Sequence, residues 1–238
     1  MIDRRSFLST AAAGVAAMAT MAPAGNTAIA DAQLVYTTTD WNPADFNRVL
    51  RSPAHIKQAY DVVPINGGMF LNNIKNSLNG LHYGFGIPVQ QIKVVGGLHG
   101  PANMLNFDDY VWSKYQIGAW LDVKDPATGK PATKNIFYPS KAGAALKYAS
   151  NDPDSRESIY QDSSIQALQH RGVTFLSCHT ATEEQVRALI HHNNLKQQPE
   201  EIVHDMLAHM IPGAIVVASM VAALALLQTE GHYSYLKV

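Results

Sequence analysis

Gly172-Val173-Thr174-Phe175-Leu176-Ser177, followed by Cys178, is a continuous apolar run opened by a glycine, and Thr182 to His192 behind it has a helical pattern. The run is too short for a buried helix and too unbroken for a half-exposed strand, so it predicts a strand covered on both faces. Thr182 is the expected helix cap, with Glu183 and Glu184 in the first turn. Working outward, Ser163 to His170 predicts a helix before the strand. After it come helix Pro199 to Ala208, strand Ala214 to Ala218, helix Met220 to Thr229 and a closing strand from Tyr233 to Lys237. Toward the N-terminus, Ile56 to Val63 predicts a strand. Gly67-Gly68 then leads into Met69, Phe70, Leu71, Ile74, Leu78 and Leu81 at helical spacing. Gln91 to Leu98 predicts another strand, broken at His99-Gly100-Pro101, and Ala102 to Tyr115 a further helix. Strands alternating with helices in this way predict one three-layer α/β/α sandwich with a mostly parallel five-stranded sheet.

Two stretches break the alternation. Residues 31–55, with Trp41 among Asn, Thr, Pro and Asp, read as an arm over the surface. Trp120 to Ser155 carries Pro126, Pro131, Pro139 and Pro153, a composition that suits an insertion at about 120–155 with a short helix from Ser140 to Tyr148. Met210 to Thr229 is uncharged and long enough to span a bilayer. Pro212-Gly213, the β-branched residues of 215–217 and the helix formers after Met220 instead predict a buried strand passing into a buried helix, with no stable membrane span.

The composition narrows the function classes. With 47% hydrophobic and 16% charged residues in 238, the chain holds enough apolar material for one core. A formal net charge of -1 supplies no field for nucleic acid. The single cysteine excludes an internal disulfide framework and any thiolate-rich metal site. Arg4 and Arg5 stand ahead of Phe7-Leu8 and an uncharged, alanine-rich stretch from Ser9 to Ala22, the layout of a twin-arginine (Tat) export signal over residues 1–30. Cleavage is expected after Ala30, which gives a periplasmic or otherwise extracytoplasmic mature protein.

In a parallel sheet, ligands gather where strands end and helices begin. That rule selects His99 and Gly100, Cys178 and His179, and Ser219. A helix starting just after Cys178 is expected to lower its thiol pKa and favour the reactive thiolate. Of ten histidines, His179, His191, His192, His204 and His209 fall close together. Their spacing is a poor chelate for a helix face, so no metal is expected, although the fold could still assemble His99, Cys178 and His179. Asp108, Asp109, Tyr110, Trp112 and Tyr115 read as one packed and one solvated helix face.

The stretch Arg171 to Cys178, together with Ile215 to Leu224, Leu227-Gln228, Gly231 and Tyr235-Leu236-Lys237, resembles the DsrE/DsrF/TusD-like (DsrE family) sulfur-relay proteins, over roughly 56–115 and 163–238. His99-Gly100 fits the same pattern. The resemblance implies a flavodoxin-like, DsrE-like domain over 56–238 that forms a homo-oligomer, a trimer or hexamer. It implies that Cys178 accepts sulfane sulfur as a persulfide, and Cys178 is the one residue it carries over. Position at the strand ends makes His99 and His179 candidates for handling protons and puts Gly100 and Ser219 on the rim. The partners are then a sulfur donor and acceptor, small molecule or protein thiol, and no cofactor is called for. His179 beside the cysteine and the export signal depart from the better-known cytoplasmic members. Two other readings stand beside sulfur transfer: a periplasmic module that binds a small ligand or metal without turnover, and a structural subunit in which Cys178 is inert core. No dinucleotide fingerprint, phosphate loop or serine nucleophile elbow supports a rival enzyme class.

Overall fold

Successive residues of the inner strands are buried in two different cores. Tyr60, Val62, Val94, Leu98 and Phe175 face one core, whereas Ala59, Val95, Leu176, Cys178 and Val217 face another. A strand buried on both sides this way belongs to the centre of a three-layer sandwich. The computed structural model describes residues 40–139 and 146–238. The export signal with Arg4, Arg5 and Ala30, and the arm up to residue 39, lie outside the described residues.

Five strands form one parallel sheet: β1 (Ile56–Val62), β2 (Ile92–Leu98), β3 (Thr174–Cys178), β4 (Ile215–Val217) and β5 (Ser234–Lys237), in the order β4-β3-β2-β1-β5. The fold is the α/β/α sandwich expected, with every pairing parallel. From β1 to β4 the chain steps across the sheet in one direction, so right-handed crossovers place their helices on one face. The return from β4 to β5 runs the other way and uses the opposite face. The first face carries α2 (Met69–Asn79), α3 (Asp109–Lys114), α4 (Ile117–Trp120), α5 (Ile165–His170), α6 (His179–Asn193) and α7 (Pro199–Ala208). Residues of α2, α3, α5, α6 and α7 such as Ile74, Trp112, Leu168, Val186 and Ile202 fill the larger core. The second face is covered by α8 (Met220–Thr229) through Met220, Ala223, Leu224 and Leu227, and by α1 (Pro43–Leu50) through Phe46, Val49 and Leu50.

Helix α1 replaces irregular chain in the expected arm. Asn42 accepts the amide of Ala44, Pro43 opens the helix, and an apolar stripe turns inward. Ala102 to Tyr115 is not one helix either. A 3₁₀ turn over Gly100–Asn106 ends in extended Phe107 and Asp108. The Asp108 carboxylate then accepts the amides of Tyr110 and Val111 and restarts the chain as α3. Residues 121–137 pack more closely than an excursion would. Val123, Ala132 and Phe137 are buried, and Asn135 donates to the carbonyls of Leu105 and Phe107. Of the helix expected over 140–148, residues 140–145 lie outside the described set and 146–148 are not helical. Met210–Thr229 divides as read into strand and helix, and no helix among the described residues is long and apolar enough to cross a membrane.

Candidate functional site at the carboxyl edge of the sheet

Helices α6 and α8 begin on neighbouring strands at the carboxyl edge, and both open beside the same atom. The Sγ of Cys178 accepts the amide of Ala181, in the first turn of α6, at 3.4 Å, and the amide of Met220, the first residue of α8, at 3.2 Å. The Met220 side chain lies over Gly97, where a Cβ would be 2.7 Å from the Met220 sulfur and 3.3 Å from the Tyr60 carbonyl. Helix α6 starts at His179 with Cys178 as its cap, earlier than the sequence suggested. Thr182 is not the cap: it lies within the helix and donates its hydroxyl to the Cys178 carbonyl. The register that leaves an apolar strand ending in Cys178 makes the thiol, rather than a hydroxyl, the first acceptor the helix meets.

Asn103 fixes this turn from below. Its Oδ1 accepts the Cys178 amide and the Ser177 hydroxyl, and its Nδ2 donates to the Cys178 carbonyl and to Thr182 Oγ1. An amide buried this completely is tolerable because every donor and acceptor is spent. No sequence signal marks Asn103, whose position inside an expected helix conceals that the chain turns there.

Burial, not the helix termini, governs the thiol. Cys178 is 5% exposed, and this pushes its pKa up; the amides of Ala181 and Met220 pull it back, the Glu184 charge raises it again and the Thr180 amide lowers it. The depressed thiol pKa expected from the sequence is therefore reversed.

The two expected histidines occupy different settings. His179 is 3% exposed, with Nε2 3.2 Å from an Asp40 carboxylate oxygen and Nδ1 3.5 Å from Glu183, which in turn lies 3.9 Å from Arg187. It is enclosed by acids. His99 follows β2 in extended backbone and pairs through Nε2 with Asp61 Oδ1 at 2.6 Å, while Tyr235 of β5 donates its hydroxyl to Asp61 Oδ2, also at 2.6 Å. Asp61 was not singled out in the sequence, and Tyr235 entered only as part of the C-terminal resemblance, because the contact joins the first strand to the last. Gly100 sits at φ +53°, where a Cβ would lie 3.0 Å from the Val63 side chain, so its conformation, not a ligand, explains the residue. Ser219 caps α8 by position without a side-chain bond.

The chain matches no family model, no curated protein and no solved structure. Among the described residues no group of three His, Cys, Asp or Glu side chains could hold a metal ion. The acid and aromatic set resolves into packing. Trp112 donates to the Met104 carbonyl, Tyr115 and Lys114 engage Asp205 of α7, and Tyr110 stacks on His209 at 4.0 Å. A cavity of about 510 Å³ opens beside the loop after β1, lined by Ile65, Gly67, Leu121, Lys124 and Phe137; neither Cys178 nor His99 lines it.

Proposed function

We propose that this protein accepts sulfane sulfur on Cys178 as a persulfide and yields it to a second thiol. The observation that carries the reading is the position of Sγ, where amides from the first turns of two helices converge. Those donors stabilise negative charge on sulfur as it develops, while burial keeps the resting thiol protonated. In the loading step the Cys178 sulfur attacks the outer sulfur of a donor R–S–SH. A new S–S bond forms as the donor's S–S bond breaks, and R–S⁻ leaves with the proton that Cys178 gives up, so no net oxidation occurs. With one cysteine in the chain, unloading requires the thiol of another molecule. Action outside the cytoplasm, from the Arg4-Arg5 signal, and assembly as a homo-oligomer belong to the same proposal.

Treatment of the native protein with polysulfide, followed by intact-mass measurement, tests it. A one-sulfur adduct that a reductant removes, and that Cys178→Ser lacks, is the expected result. A native protein that takes no sulfur contradicts the proposal and leaves Cys178 as a helix cap.

The cavity beside β1 favours a second reading, a small-ligand module. Its lining combines apolar side chains with the charged residues Asp122 and Lys124. A ligand bound there survives Cys178→Ser and is lost when Leu121→Trp fills the space.

A further inference from the structure

We infer that His99 is the proton-handling base of this edge, acting through Nδ1, and that Asp61 and Tyr235 are the residues that position it. The identity of its substrate rests on the persulfide reading; the geometry of the base does not.

The register sets His99 and Cys178 at the same end of neighbouring strands. Leu98 pairs with Ser177 and is buried in the larger core, so the next residue on each strand turns to the α8 side. His99 and Cys178 are those residues, one place beyond the last pair of the β2–β3 ladder. Asp61 lies on the same side, two residues beyond Ala59, and its partner Gly97 in β2 leaves no side chain to separate it from His99. An ionised carboxylate only accepts hydrogen bonds, so a neutral His99 bonded to it carries its proton on Nε2. Nδ1 then holds the lone pair. It makes no hydrogen bond to the described residues and is not a buried orphan, so it is open to a reacting group.

Tyr235 completes the device. With Oδ1 bonded to His99 and Oδ2 to Tyr235, the Asp61 carboxylate has one orientation, and the imidazole ring has one in consequence. Asp61 also pushes the Tyr235 phenol above its ordinary range, which keeps that hydroxyl a donor. The C-terminal strand thus reaches the site without touching the sulfur. His179 is unsuited to the same task, because Asp40 and Glu183 face its two nitrogens and the ring is almost wholly enclosed. In the loading step, Nδ1 takes the proton leaving the Cys178 thiol and returns it to the departing R–S⁻, so that R–SH is released and the base is regenerated.

Two readouts test the inference on the intact protein. Side-chain ¹⁵N spectra of histidine-labelled protein report the neutral tautomer of His99: Nε2–H is expected in the wild type, and Nδ1–H in Asp61→Asn, whose amide donates where the carboxylate accepted. Loading of Cys178 from a small-thiol persulfide is expected to slow on the order of 100-fold in His99→Gln and Asp61→Asn, and about fivefold in Tyr235→Phe, which keeps the wild-type tautomer. A wild-type ring protonated on Nδ1, or His99→Gln loading at the wild-type rate, overturns the inference. A wild type that takes no sulfur defeats the persulfide reading alone, and the tautomer pair still decides the role of Asp61.

Discussion

The two edges of the sheet treat charge in opposite ways. At the carboxyl edge, helices begin, and their amides converge on a thiol with no cation against it, beside an imidazole held by a carboxylate. At the amino edge, helices end, and cations meet the exposed carbonyls. Lys57 donates to the Gly231 carbonyl after α8, and Lys93 to the Gly172 carbonyl after α5 and to Thr174. Lys57 and Lys93 are paired in register, yet neither has a carboxylate partner among the described residues. Helix termini explain this: carbonyl ends carry partial negative charge that a lysine neutralises, whereas amide ends favour an anion. One edge is closed by its own lysines, and the other turns helix amides toward a thiol and lies beside an imidazole held by a carboxylate.

Asn103→Leu is the harshest challenge to that contrast. It strips four hydrogen bonds from the turn that presents Cys178 and is expected to cost about 3 kcal/mol in chemical denaturation. A loss below about 1 kcal/mol would mean that the turn does not depend on the amide. Gly97→Ala forces Met220 away from the sheet and is expected to cost about 2 kcal/mol, while changing the rate at which Cys178 takes sulfur. At the opposite edge, Lys93→Met removes two hydrogen bonds, with an expected loss of about 1 kcal/mol and no change in sulfur loading. Equal effects of these two variants on loading would erase the distinction between the edges. The smallest effect concerns pH. Burial raises the Cys178 pKa in the folded chain, so at pH values above the ordinary thiol range the unfolded chain loses its proton first, and stability falls as pH rises. Denaturation of Cys178→Ser across that range is expected to show a shallower decline than the wild type.

The layers were legible in the sequence because β3 and β4 are short, mainly apolar runs and β1 and β2 mixed ones, each bounded by turn residues, and Pro199–Ala208 and Met220–Thr229 are helices with the limits their composition suggests. Helix α1 was not, since its apolar stripe is only Phe46, Val49 and Leu50 among polar neighbours. The site was legible in outline only. Strand ends located His99 and Cys178, but the Asp61–His99–Tyr235 contact depends on β5 pairing with β1, a long-range choice that no local pattern encodes. The thiol pKa was misread for a related reason: helix termini can be seen in a sequence, whereas the α8 side chains that bury the sulfur become visible only after the chain crosses the sheet.

The proposal requires that Cys178, although only 5% exposed, reacts in the folded protein. The rate of Cys178 with a small persulfide donor, measured in the native protein and in denaturant, tests this most directly. The account predicts a native reaction faster than global unfolding and sensitive to Asp61→Asn. A thiol that reacts only at the rate of unfolding, identically in both proteins, would contradict it.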